Sequence, residues 1–140
     1  QIVRVCGDSP FVLPEIIDES FRQHTREGND YTNAIDQDII TNGTGVEMVT
    51  LEALNTCYKE GGLKGDRENV TKYIRQNPGE FKYGRYKPKK NKVIKGINLL
   101  LDTREDYEKL LQFVTYLPQN KPLEDVSYED LEFAVAKGAK

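Results

Sequence analysis

The sequence predicts an α/β fold built around a partly parallel sheet. Three observations predict it. Short apolar runs of strand length alternate with longer amphipathic stretches in the order β-α-β-α-α-β-β-α-α. The helical stretches carry their own start and stop residues, with Pro14, Thr50, Asp66, Thr103 and Ser127 at the starts and Gly28, Gly61-Gly62 and Gly138 at the ends. Two apolar runs close on an aspartate, Asp8 and Asp102, each followed by helix-starting signals. In open α/β sheets, ligands sit at the carboxyl ends of strands.

Residues 2–6 alternate weakly and read as a buried strand, in which Cys6 is a buried thiol. Pro14 opens a helix at its favoured first position, Glu15 complements the positive end of the helix dipole, and Ile17 and Phe21 form its apolar pair. Residues 31–35 are short extended or loop chain. Asn42-Gly43-Thr44-Gly45 is a turn, and residues 46–50 form the second strand. Thr50 caps a helix whose inner face is Leu51, Leu54 and Tyr58. Asp66 caps the next, with Val70, Tyr73 and Ile74 inward, and Asn77-Pro78-Gly79 ends it. Residues 81–86 alternate aromatic and polar side chains like a half-exposed strand. A basic, proline-broken loop at 87–92 leads to a strand ending at Asp102. Thr103 then starts the clearest helix, with Tyr107, Leu110, Leu111 and Val114 at helical spacing. Ser127 caps the last helix, which carries Leu131 and Val135.

At 140 residues the chain has the length of one domain and can bury a core. No apolar run approaches a membrane span, so no membrane association is expected. A net charge of −3 argues against a general nucleic-acid binder. Cys6 and Cys57 lie far apart, outside any zinc-type spacing, and fit a reducing, cytoplasmic setting. The chain starts with Gln1 inside strand-like sequence, and is expected to be part of a longer protein.

Asp8 and Asp102 are the candidate catalytic and metal-binding residues. Two carboxylates on neighbouring strand ends can hold one Mg²⁺ against a nucleoside triphosphate. Taken singly, each also fits a structural role, Asp8 in an Asx turn and Asp102 at a helix entry. Tyr31 and Asn33 can line a polar pocket or pack within a loop. Glu47 is the one charge in Val46-Glu47-Met48-Val49 and points to solvent or to a cleft, solvent being the usual outcome. Glu68 and Asn69 stand near a helix start. His24, between Arg22 and Arg26, reads as an exposed helix residue. With one histidine and no serine on a sharp elbow, a hydrolytic triad has no support.

Six motifs occur in order: 4–10 (Arg-Val-Cys-Gly-Asp-Ser-Pro), 14–18 (Pro-Glu-Ile-Ile-Asp), 30–33 (Asp-Tyr-Thr-Asn), 45–48 (Gly-Val-Glu-Met), 68–74 (Glu-Asn-Val-Thr-Lys-Tyr-Ile) and 101–108 (Leu-Asp-Thr-Arg-Glu-Asp-Tyr-Glu). Together they resemble the cytidylyltransferase family of CMP-KDO and acylneuraminate synthetases, in the branch of the spore coat polysaccharide biosynthesis protein F type. The resemblance runs from about residue 2 to residue 116. It implies a Rossmann-like nucleotide-diphospho-sugar transferase sheet, of which residues 1–140 are the carboxyl-terminal portion as a single-domain fragment. It implies transfer of CMP from CTP to an acidic sugar, with Mg²⁺ on Asp8 and Asp102 and release of pyrophosphate, for surface polysaccharide biosynthesis. By the same resemblance Arg4 supports Asp8 or approaches a phosphate, and Tyr31, Asn33, Glu47, Glu68 and Asn69 face the sugar. Family members are often homodimers, and residues 81–92 then supply an interface arm. Two departures stand out. Asn69 replaces a histidine common in the family, and the family's Gly-Ser-x-Arg-x-Pro-x-Lys phosphate loop is not among these residues. The fragment alone is therefore expected to be inactive and to bind CTP poorly. The alternative is a non-catalytic sugar- or partner-binding module built on the same fold.

Overall fold

The computed structural model describes residues 1–61 and 69–138. The expected cap Asp66 and the candidate Glu68 lie outside them. Among the described residues four strands form one sheet: β1 (Ile2–Arg4), β2 (Tyr31–Ala34), β3 (Val46–Val49) and β4 (Tyr83–Arg85). Their order is β1-β3-β2-β4, with β3 antiparallel to both neighbours and β2 parallel to β4. Among the described residues five helices accompany them: α1 (Pro14–Glu27), α2 (Leu51–Glu60), α3 (Lys72–Gln76), α4 (Arg104–Val114) and α5 (Tyr128–Gly138). The α/β class with a partly parallel sheet therefore stands.

The helix starts follow the local chemistry of the sequence. Pro14 takes the first turn of α1, and Gly28 ends it at φ 62°, its N–H bonding the carbonyls of His24 and Thr25. The Thr50 hydroxyl accepts the Ala53 N–H at 3.1 Å. Thr103 and Asp106 form a reciprocal capping box at the start of α4. Ser127 and Asp130 do the same before α5, where Asp130 bonds both the Ser127 N–H (2.8 Å) and its hydroxyl (2.7 Å).

Two apolar cores flank the sheet. The larger gathers Leu13, Ile16, Ala34, Val46 and Met48 with Leu110, Phe113, Leu131 and Ala134 of α4 and α5. The smaller packs Tyr31 and Val49 against Ala53, Cys57 and Ile74 of α2 and α3. The side chains meeting these cores correct several expectations. In α1 the buried stripe is Ile16, Ser20, Gln23 and His24, and Phe21 is exposed. His24 is fully buried, its Nδ1 2.9 Å from the Thr32 hydroxyl and its Nε2 2.6 Å from Gln1 Oε1, so it is not the solvated helix residue expected. In α2 the inner positions are Ala53 and Cys57, whereas Leu51 and Tyr58 face outward. Val70 precedes α3 and is exposed.

Three strand expectations change. Residues 31–35, read as extended or loop chain, supply β2, a central strand. The first strand stops at Arg4 and lies at the sheet edge, with Val3 and Val5 exposed rather than buried and Cys6 half-buried. The segment ending at Asp102 is no strand. Asn98 Oδ1 captures the Leu100 N–H (3.2 Å) and the Asn42 side-chain amide (2.8 Å), as Asn does in turns. The Leu99 and Leu101 N–H groups go to two different loops, at Asn42 O (3.1 Å) and Asp8 O (2.8 Å), and no ladder forms. The basic loop 87–92 ends on Lys92, which is buried beside Glu15 at 2.9 Å rather than solvated.

The accessible surface is 8819 Å² for 16.0 kDa. A monomeric globule of that mass exposes about 7,400 Å². Part of the excess is apolar: Tyr107, Leu111 and Leu123, all about half exposed, border a groove of about 170 Å³. Among the described residues no helix is long and apolar enough to cross a membrane.

Candidate functional site

The pairing register lays two rows of side chains across the sheet face that looks toward α2 and α3. One row is Ile2, Val49, Tyr31 and Tyr83, and it enters the smaller core. The next is polar: Arg4, Glu47, Asn33 and Arg85. Because β3 alone reverses direction, this polar row lies toward the carboxyl ends of β1, β2 and β4. That is the end of an α/β sheet where ligands collect.

Glu47 is the centre of the row. It is only 1% exposed, so it does not take the solvent-facing position that an alternating strand usually gives a charge. Four donors meet its carboxylate. Arg4 binds Oε2, and Tyr31, Thr71 and Arg75 bind Oε1, the last two at 2.8 and 3.1 Å. A carboxylate this deep is tolerable only when paired and fully hydrogen-bonded, and here it is both. Burial opposes the charge on Arg4, but the attraction and hydrogen bond of Glu47 outweigh it and hold the guanidinium above its ordinary pKa. The Tyr31 phenol is pushed up by burial and then by the charge of Glu47, so it acts as a neutral donor.

Arg4 and Glu47 form part of the wall of a cavity of about 220 Å³, together with Cys6, Asp8, Ser9, Ile35 and the turn 42–45. The turn has no room for side chains at two positions. Gly43 has φ 88°, and a Cβ there would lie 2.6 Å from the Leu99 carbonyl oxygen. A Cβ on Gly45 would collide with the Ala34 carbonyl. Both glycines let the backbone close the cavity floor.

Asp8 is half-buried at the cavity edge, its Oδ1 accepting the Ser9 hydroxyl at 3.0 Å. The Leu101 N–H donates to the Asp8 carbonyl at 2.8 Å, which brings the residue preceding Asp102 against Asp8. Asp102 itself is exposed. The two acids therefore come from adjacent segments, though turn chemistry and not neighbouring strands puts them there. Among the described residues no cluster of three or more metal-binding side chains occurs. A cation here would take one or two carboxylates and complete its shell with water and phosphate oxygens, which is the habit of Mg²⁺. The donor set thus fits that ion.

The remaining candidates divide. Tyr31 is buried against Glu47, its ring 5.1 Å from that of Tyr83. Asn33 is half-buried, donates to the Tyr83 hydroxyl at 3.2 Å and accepts the Ile35 N–H at 2.9 Å. Asn69 is exposed two residues before Thr71. Sequence reasoning missed Thr71 and Arg75. Their i, i+4 spacing puts them on one side of a helical turn, but nothing local marks Glu47 as their partner.

Residues 1–133 match the cytidylyltransferase family. The chain belongs to that family. Over 111 residues it is 34% identical to an uncharacterized protein of Methanocaldococcus jannaschii, an alignment covering 79% of this chain and 44% of that protein. It is 28% identical over 115 residues to the spore coat polysaccharide biosynthesis protein SpsF of Bacillus subtilis, covering 78% and 45%. The chain thus spans just under half the length of the curated relatives it matches. Its fold superposes on a solved cytidylyltransferase from Leptospira borgpetersenii with a TM-score of 0.82 at 26% identity, over 99% of this chain and 56% of that one. The nucleotide-sugar transferase fold expected from the sequence is consistent with that match.

Proposed function

We propose that these residues form the sugar- and metal-binding side of an enzyme that transfers CMP from CTP to an acidic sugar for surface polysaccharide biosynthesis. The sugar hydroxyl attacks the α-phosphorus, the bond from that phosphorus to the β-phosphate bridging oxygen breaks, and pyrophosphate leaves. The observation that carries this reading is the Leu101 N–H to Asp8 carbonyl bond. It sets two carboxylate-bearing turns side by side at the mouth of a cavity walled by Arg4.

Asp8 and Asp102 would hold Mg²⁺. When bound, the ion neutralises phosphate charge and lowers the pKa of the attacking hydroxyl. The chain's own groups supply positioning. Arg4, fixed by Glu47, directs N–H donors to a substrate oxyanion. The glycine turn 42–45 lets a ligand approach the backbone. Tyr31 and Glu47 shape the sugar side from behind, their polar atoms engaged with each other. Asn33, Glu68 and Asn69 complete that side, with Asn69 offering an amide where the family often has an imidazole. The same reading places the enzyme in the cytoplasm as a homodimer, residues 81–92 forming the arm, and leaves residues 1–140 alone inactive and weak for CTP.

The test is pyrophosphate release by the full-length protein given CTP, Mg²⁺ and a panel of sugar acids. The reading expects release with one class of acid and none without Mg²⁺. A folded protein that releases no pyrophosphate across the panel, yet binds a sugar acid, is instead a non-catalytic binding module.

A further inference from the structure

We infer that Arg75 is a positioning residue for the cavity: with Thr71 it holds the buried carboxylate of Glu47, and Glu47 in turn fixes the Arg4 guanidinium as the receptor for a substrate oxyanion. The inference rests on reading the cavity as the substrate site, and extends it to residues that do not line the cavity.

A buried Glu–Arg pair is neutral and offers little to an incoming anion. Here one carboxylate meets two guanidiniums, one on each oxygen, and a positive charge is left over. The surplus is not equally placed. Arg4 lines the cavity and Arg75 does not. Each arginine contacts Glu47 through Nη1 alone, and a guanidinium has five N–H donors in a rigid fork. With Arg4 tied to Glu47 and also bonded to the Cys6 side chain, its remaining donors are preorganised for a second oxyanion.

Without Arg75, Glu47 would neutralise Arg4 fully and pull it toward the sheet. With Arg75 and Thr71 holding Oε1, only Oε2 is left for Arg4, and its guanidinium is held at the cavity wall. Thr71 and Arg75 also belong to one segment, Thr71 just before α3 and Arg75 within it. The network therefore ties that segment to the same carboxylate.

The recognised group is an oxyanion, either a nucleotide phosphate or a sugar carboxylate. Two probes separate them: inorganic pyrophosphate and acetate. The experiment follows the arginine side-chain ¹⁵N–¹H signals of the full chain during titration with each, with Kd taken from calorimetry. The Arg4 signal is expected to move with one probe while that of Arg75 stays. Arg75→Gln should weaken that probe about tenfold with a cooperative melt, and Arg75→Lys, which keeps a cation on Glu47, should recover most of the loss. Thr71→Val, which removes a donor and no charge, should weaken it about threefold and stands in if Arg75→Gln does not fold. Wild-type affinity in Arg75→Gln, or in Thr71→Val when that is the variant measured, overturns the inference. So does an Arg4 signal that responds to neither probe. Because no turnover is measured, a protein that binds through Arg4 but releases no pyrophosphate loses the proposed reaction and keeps this inference.

Discussion

The sharpest prediction concerns Glu47→Gln. The change keeps shape and removes charge from a side chain that is 1% exposed and accepts from four donors. An amide has one acceptor oxygen and one donor nitrogen. If the oxygen takes the Oε1 position, Tyr31, Thr71 and Arg75 keep their bonds and the new NH₂ faces the Nη1 of Arg4, donor against donor. In the opposite orientation the amide oxygen serves Arg4, the NH₂ can donate to the Tyr31 and Thr71 hydroxyls, and Arg75 is left donor against donor. In either case two guanidiniums lose their counter-charge. Breaking a buried ion pair by removing one partner costs about 3–5 kcal/mol. The arginines are 26% and 33% exposed, so water relieves part of the stranded charge and the low end applies, about 3 kcal/mol.

Against a domain stability of about 5–15 kcal/mol, the variant should still fold. At about 3–4 °C per kcal/mol for this chain length, its melting midpoint should drop by about 10 °C. Circular dichroism melts and urea midpoints at pH 7 measure this. Tyr31→Phe, which removes one hydrogen bond to the carboxylate, should cost about 1.5 kcal/mol. If Glu47→Gln costs less than about 1 kcal/mol, the carboxylate is not the compensated centre of the site, and the positioning argument built on it fails.

Four further outcomes are expected. Asp8→Asn and Asp102→Asn should each lower turnover of the full-length enzyme at least about a hundredfold, the order of a lost metal contribution, with unchanged circular dichroism; near-wild-type rates remove that residue from the site. Gly43→Ala meets φ 88° and the Leu99 backbone together and should cost about 2–3 kcal/mol in urea unfolding, whereas a neutral result means the 42–45 turn relaxes freely. Burial lowers the pKa of His24, so the unfolded chain takes up its proton first; stability should be full above about pH 6.5 and fall as the pH drops through that value, and His24→Gln should flatten the curve of urea midpoint against pH. Asn98→Ala frees the Leu100 N–H and the Asn42 amide at an exposed loop, so it should cost only about 1 kcal/mol of stability but raise severalfold the Mg²⁺ concentration needed for half-maximal turnover.

What was legible in the sequence was what is decided locally. Thr50, Thr103 and Ser127 cap helices through hydrogen bonds to residues three positions away, and those starts were read correctly. Gly28 ends α1 because its own backbone takes a left-handed turn. What depends on the partner surface was not legible. The inner faces of α1 and α2 are rotated from the most apolar stripe; in α1, Gln23 and His24 are buried with partners on other elements, Arg85 O and Thr32, while Ser20 bonds back to Ile16 O within the helix. Nor was the Glu47 cluster legible. Its donors arrive from β1, β2, α3 and the residue before α3, separated from Glu47 by 16 to 43 residues, and no spacing rule links them.

The segment before Asp102 shows how a strand expectation fails while its neighbourhood with the Asp8 turn survives. A strand was expected up to Asp102 because 97–101 is apolar, yet Asn98 diverts the chain and the Leu99 and Leu101 amides bond to separate loops. Asp102 comes beside Asp8 because one of those loops is the turn that contains Asp8. The same turn follows β1, whose last residue, Arg4, is held by Glu47. Arg4 and Asp8 are thus four residues apart on one strand–turn unit, and a shift of β1 along β3 would move both together. The register Arg4 to Glu47 is therefore the quantity that sets the distance between the charged groups of this cavity. Sheet pairing fixes it, and the buried ion pair locks it, because a slip of one residue would put Val3 or Val5 against the carboxylate and turn Arg4 to the opposite face.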